Sequence, residues 1–169
     1  MRRAARRTRA RTRPVPWMRE EFILAPVIFA ADEVIKQRVE MKEELNVPRE
    51  TIGGVSVRRF HNSGAAFGFG EKNSRFMTVL SVVFASVLTV LFFSPFSEKS
   101  TRLMKTGLAL MLGGAYSNTY DRIRRGYVVD YVSFKSRSEY MSGIVYNLSD
   151  FCIAAGALIT VIDAARTDD

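Results

Sequence analysis

One stretch of the chain has no charged residue at all: Phe76 to Phe96, 21 residues. At about 1.5 Å of rise per residue, a helix of that length matches a hydrocarbon layer of roughly 30 Å, which predicts a transmembrane helix. Tyr140 to Ile162 is a second long stretch, 23 residues interrupted by one ionisable side chain, Asp150. It predicts another span, and an ionisable group inside a span is a functional candidate by default. Thr106 to Tyr120 holds 15 uncharged residues rich in Gly, Ala and Leu. Leu103 and Met104 extend it, and Lys105 can snorkel to the interface, which predicts a third span. Phe22 to Ala31 gives ten apolar residues before Asp32 and Glu33, after which Val34, Ile35 and Val39 alternate with Lys36, Arg38 and Glu40. By hydropathy this is a weak span.

The economical reading is a mainly α membrane protein with four transmembrane helices, at about 20–40, 76–96, 103–120 and 140–162. They form a single domain over residues 20–163, with loops 41–75 and 121–139 outside the membrane. Within the first loop, Val55, Val57 and Phe60 surround Gly53 and Gly54, which predicts a small extracytoplasmic strand pair between helices one and two. An arginine arm before an apolar run also resembles a secretory signal peptide. Cleavage after Ala30 would place bulky Ile28 where a small residue is wanted, so a retained first helix is the better reading.

Charge sharpens the topology. The chain has 25 Lys plus Arg against 17 Asp plus Glu, and eight arginines with no acid lie in residues 1–19. The remainder is balanced, which argues against a nucleic-acid-binding surface over the fold and leaves the arm to meet anionic head groups. A basic cytoplasmic arm at 1–19 fixes the N-terminus inside, and an even number of spans returns a short cytoplasmic tail, 164–169. The outer loops are nearly as basic as the inner ones, so orientation rests on the arm. Cys152 is alone and excludes an internal disulfide. With a single histidine, His61, neither the usual zinc sets nor a Ser/His or Cys/His catalytic pair has enough partners. Carboxylates remain as the chemically capable groups.

In the third span, Ala109, Gly113 and Ser117 recur every four residues, a small-residue stripe that lets another helix approach closely. Asn118, Asp121 and Arg122 share one face at its outer end, and a local pair between Asp121 and Arg122 is expected. In the fourth span Gly143, Asn147, Asp150 and Ala154 fall on one stripe, predicted to face inward. Asp130 follows Val128 and Val129, and an acid in so apolar a setting suggests a return toward the membrane surface. Two inward carboxylates could share one proton as acid and base, activating water for amide hydrolysis. The alternative is a protonated Asp150 that only hydrogen-bonds another helix. Asp32 and Lys36, four apart with the acid first, predict a structural salt bridge. Cys152 and the seven methionines read as ordinary packing.

Taken in order, these polar segments resemble the signature of signal peptidase II, the bacterial lipoprotein signal peptidase family. Asp32-x-x-x-Lys36 matches its first-helix element, and Asn62, Ser63, Gly64, Ala65, Ala66 and Phe67 match its Asn-x-Gly-Ala-Ala-Phe loop. Gly113, Gly114, Ala115, Asn118, Asp121 and Arg122, running on to Gly126, Val128 and Asp130, match its third block, and Asn147-x-x-Asp150 its last. The resemblance implies an intramembrane aspartyl endopeptidase of the bacterial inner membrane. It would cut the signal peptide of a diacylglyceryl-modified prolipoprotein before the lipidated cysteine, with Asp130 and Asp150 as catalytic dyad and no cofactor. It further implies that Asn62, Asn118, Asp121, Arg122 and Asn147 line or brace the site, with Asp32 and Lys36 as a first-helix polar pair. Membrane lipids as surroundings, globomycin-like lipopeptides as inhibitors and action as a monomer belong to the same expectation. Ser117, Tyr131, Tyr146 and Ser149 stand where the family more often has Gly, Phe, Phe and Ala. Two other classes stay open: a membrane protein that binds lipidated peptides without cutting them, and a proton-coupled carrier using Asp150.

Overall fold

The structure, a computed structural model, describes residues 20–50, 53–64, 73–94, 101–135 and 143–167. The arginine arm, the Ala65 to Phe67 part of the loop motif and residues 168–169 lie outside the described residues. Among the described residues the fold has four long helices and a small sheet: α1 (Glu20–Lys42), β1 (Arg49–Glu50), β2 (Val55–Asn62), α2 (Ser74–Phe93), α3 (Arg102–Arg125), β3 (Val128–Phe134), β4 (Val145–Tyr146) and α4 (Leu148–Thr167).

Helix α3 is the central one, packed against α1, α2 and α4. Its small residues make this possible. Ala109, Gly113 and Ser117 are buried as the four-residue stripe predicts, and a Cβ placed on Gly113 would lie 2.7 Å from the carbonyl oxygen of Ala25 in α1. On the next face, a Cβ on Gly114 would lie 2.6 Å from the carbonyl oxygen of Ser149, so only a missing side chain lets α4 come this close. Ala25, Ala85, Leu88, Phe92, Leu112 and Ala115 fill the space between α1, α2 and α3. Beside this core is an apolar cavity of about 710 Å³ lined by residues including Phe22, Phe29, Val82, Thr89 and Tyr116.

Among the described residues two helices, Ser74–Phe93 and Leu148–Arg166, are long and apolar enough to cross a membrane. Outward-facing Val79, Val83, Val87 and Val90 on α2 give it an apolar surface that suits lipid. Helices α1 and α3 instead carry charged groups, several of them turned inward: Asp32, Lys36 and Asp121 are fully buried.

Helices α3 and α4 differ most from the sequence expectation in their boundaries. Helix α3 does not stop at Tyr120 but runs five residues further, because nothing breaks it before Gly126. That glycine takes a left-handed φ of 82° and donates its N–H to Arg122 O at 3.1 Å, closing the helix. The fourth helix begins at Leu148 rather than Tyr140, since Val145 and Tyr146 pair with β3 as an edge strand. Gly143 and Ala154 are exposed, so the predicted inward stripe holds only at Asn147 and Asp150. At the other end α4 continues through Thr167, absorbing most of the predicted tail.

The strand pair around Gly53 and Gly54 is present, with both glycines at positive φ. It is half of a larger antiparallel sheet in the order β1-β2-β3-β4, whose second half comes from the segment after α3. The expected sheet between helices one and two is thus shared with the loop between three and four, and this sharing carries Asp130 to the helix ends.

Candidate active site

Asp130 sits in the middle of β3, opposite Phe60 of β2, and is 1% exposed. Asn62, two residues beyond Phe60 on the same face, is its diagonal cross-strand neighbour and donates Nδ2–H to Asp130 Oδ2 at 2.8 Å. The Asn62 orientation is set by its own turn, where Oδ1 accepts from Gly64 N at 3.0 Å. The second oxygen of Asp130 accepts from Asn147 Nδ2 at 2.6 Å.

Asp150 is placed by helix capping. Asn147 precedes the first residue of α4 and accepts the Asp150 N–H on Oδ1 at 2.9 Å, while Asp150 Oδ2 accepts the Asn147 N–H at 3.0 Å. This reciprocal pair is a capping box, satisfying two donors that a helix start leaves without intrahelical partners. The carboxylate expected inside a span therefore stands in the first turn of its helix, where backbone N–H groups favour negative charge. Its other oxygen accepts from Asn118 Nδ2 at 3.0 Å. Asn147 Nδ2 also reaches Asn118 Oδ1 at 3.1 Å, so a continuous set of amides links the two carboxylates.

Behind the amides lies an ionic hub. Lys36 Nζ, fully buried, is 3.0 Å from Asp32 Oδ2 and 3.0 Å from Asp121 Oδ2, and donates to Ser117 Oγ at 2.8 Å and Asn118 Oδ1 at 3.1 Å. Holding Asn118 by its oxygen, Lys36 leaves the amide nitrogen to face Asp150. Asp121 also accepts the Val129 N–H at 3.1 Å, fastening the strand of Asp130 to α3. The ion partners of Asp121 are Arg125, one helical turn on, and Lys36, not Arg122 as the spacing suggested. Arg122 turns the other way, donating to Gly64 O at 2.8 Å and so bracing the turn that orients Asn62.

All nine sequence-predicted site residues thus meet in one connected network. Three further members are Ser117, which the sequence places in the small-residue stripe, and Tyr131 and Ser149, which stand in the sequence as departures from a pattern. All three give their hydroxyl hydrogens to Asp32: Ser117 at 2.8 Å, Tyr131 at 2.9 Å, and Ser149 in a short contact. The signal that could have found them is their proximity in sequence to Asn118, Asp130 and Asp150.

Burial and the neighbouring Asp150 carboxylate push the Asp130 carboxyl up to about 8, against the weaker opposing effect of its amide donors. Neutral amides orient a carboxylate without cancelling its charge. One carboxyl that keeps its proton beside one that can lose it forms an acid and base pair suited to adding water across an amide.

Comparison with known proteins gives the family and the fold. The family model described as signal peptidase (SPase) II matches residues 24–166. The lipoprotein signal peptidase of Symbiobacterium thermophilum is 35% identical over 136 residues, covering 80% of this chain and 87% of that protein. That of Caldicellulosiruptor bescii is 32% identical over 139 residues, covering 82% and 85%. A bacterial membrane enzyme solved at 2.3 Å resolution has the same fold, with a TM-score of 0.76 at 19% identity, covering 88% of this chain and 89% of that one. The match over nearly the whole described fold establishes that the chain belongs to the signal peptidase II family.

Proposed function

We propose that this protein removes signal peptides from diacylglyceryl-modified prolipoproteins, cutting before the lipidated cysteine, as an aspartyl endopeptidase working within the membrane. The observation that carries it is the double attachment of Asn147, whose side chain caps the helix of Asp150 and donates to Asp130. One residue thereby holds both carboxylates around a common point.

The chemistry follows from one shared proton. The ionised carboxylate accepts a proton from water as the water oxygen attacks the scissile carbonyl carbon, and the protonated partner gives its proton to the carbonyl oxygen. Collapse of the resulting diol breaks the C–N bond. The leaving nitrogen then takes a proton from the carboxyl that had accepted one, and the diol hydroxyl returns a proton to the other. The pair ends as it began, with one proton between them. Asn62, Asn118 and Asn147 hold the four oxygens in place throughout, which keeps reorganisation low.

All four helices span in this reading, although only α2 and α4 are apolar enough to be recognised by composition. The buried acids of α1 and α3 are tolerable because they face Lys36 and Arg125 inside the bundle rather than lipid. With the basic arm in the cytoplasm, both chain ends lie inside and the sheet and dyad stand at the outer leaflet. Acyl chains of the substrate stay in lipid while the peptide reaches the dyad. Membrane lipids and globomycin-like lipopeptides are the accompanying ligands, and the chain acts as a monomer.

The test is cleavage of a diacylglyceryl-modified prolipoprotein by purified protein in detergent, wild type beside Asp130→Asn and Asp150→Asn. Loss of turnover in both folded variants is expected. Unchanged cleavage in either would overturn the dyad, and a wild type that binds the substrate without cutting it would transfer the site to a binding protein.

A further inference from the structure

Asp32 makes no contact with Asp130 or Asp150 among the described hydrogen bonds, yet it is tied to the elements that carry both. Its carboxylate, 0% exposed, accepts on Oδ1 from Tyr131 Oη at 2.9 Å. Tyr131 is the residue after Asp130 in β3, and its oxygen also accepts the N–H of Leu148 at 2.9 Å. That N–H belongs to the first residue of α4 and has no intrahelical acceptor. Asp32 Oδ2 accepts from Ser149, the residue before Asp150. One buried carboxylate on α1 therefore holds the strand of one catalytic carboxylate and the helix start of the other, through two hydroxyls that flank the dyad in sequence.

We propose that Tyr131 and Ser149 are positioning residues, whose hydroxyls use Asp32 as a common anchor to set the separation of Asp130 and Asp150. The proposal rests on the dyad reading above. The Tyr131 phenol suits this role because burial and the Asp32 charge push it above its ordinary value, so it stays a donor at any working pH. Lys36 and Ser117 complete the shell of Asp32 and fix the anchor itself. The substrate is bound elsewhere, by its peptide and its lipid, so loosening this anchor disturbs the reacting geometry and leaves substrate affinity alone.

The experiment measures kcat and KM separately for Tyr131→Phe, Ser149→Ala and the double variant on a diacylglyceryl-modified prolipoprotein in detergent, beside each thermal midpoint and the Asp130→Asn control. In the folded double variant kcat should fall about ten-fold with KM within about two-fold of wild type. An unchanged kcat, or a loss that disappears when activity is scaled to folded protein, overturns the proposal while the inactive Asp130→Asn leaves the dyad standing. An active Asp130→Asn removes the dyad itself and the proposal with it. Should the double variant not fold, the isosteric Tyr131→Phe decides alone: a drop in kcat at unchanged KM supports the anchor, and wild-type kcat overturns it.

Discussion

Asn147 and Asp150 cap each other, each accepting the other's backbone N–H, at 2.9 Å on Asn147 Oδ1 and 3.0 Å on Asp150 Oδ2. The same Asn147 side chain donates to Asp130 at 2.6 Å, so a local helix-start device also spans the site. These two duties can be separated. Ser serves well as an N-cap, whereas Ala does not. Asn147→Ser keeps the cap but withdraws the buried amide from Asp130 and Asn118, so it should cost about 1–3 kcal/mol and cut turnover at least about ten-fold, and Asn147→Ala should lose about 1 kcal/mol more with the cap. Thermal unfolding in detergent beside prolipoprotein cleavage checks both.

The raised Asp130 carboxyl fixes the sign of the pH dependence. As pH rises through about 8 the Asp130 proton leaves and the pair becomes two negative charges with no acid. Cleavage should therefore decline as pH rises above about 8. A kcat/KM profile that keeps rising to pH 10 would contradict this assignment of the shared proton.

Lys36 supplies the positive charge between Asp32 and Asp121, all three fully buried. Lys36→Met removes it, leaving Asp32 buried without a cation and Asp121 with Arg125 alone, a change that costs about 3–5 kcal/mol in comparable settings. The variant should lose most of its folded yield, measured by size exclusion in detergent. A wild-type yield and thermal midpoint would show that the two carboxylates do not depend on Lys36.

Gly114 sets how closely α3 and α4 approach, since a Cβ there would lie 2.6 Å from Ser149 O and 2.9 Å from Ile153 Cγ1. Backbone cannot move aside as a flexible side chain can. Gly114→Ala should push the first turn of α4 away from α3, lowering stability by about 1–3 kcal/mol and turnover with it. Gly126→Ala offers a contrast: space is open there, but φ is 82°, so about 1 kcal/mol is lost through backbone strain with activity per folded molecule retained.

Local chemistry made much of this protein readable from its residues. The uncharged run of α2 needs no tertiary partner to declare itself, because burying apolar side chains in lipid is a property of the segment alone. The spacing of Asp32 and Lys36, the small stripe of Ala109, Gly113 and Ser117, and the turn at Gly53 and Gly54 were legible for the same reason: each interaction lies within a few residues of its partner. The set of polar residues to which Asp130 and Asp150 belong was instead legible through the resemblance to a family.

Contacts distant in sequence had to be folded to be known. Apolar residues from Tyr140 onward read as one helix, yet Val145 and Tyr146 join β3, and only that pairing moves the helix start to Leu148 and turns Asp150 from a buried span residue into a capped first-turn carboxylate. Asp121 takes Lys36 and Arg125 rather than Arg122 because α1 brings an ammonium across 85 positions of chain. The hydroxyls of Ser117, Tyr131 and Ser149 carry no pattern along the sequence; they acquire one when three elements bring them to the single carboxylate of Asp32. Periodicity reports which side of a helix is apolar, whereas the choice of partner for a buried polar group depends on what the packed bundle places within about 3 Å of it.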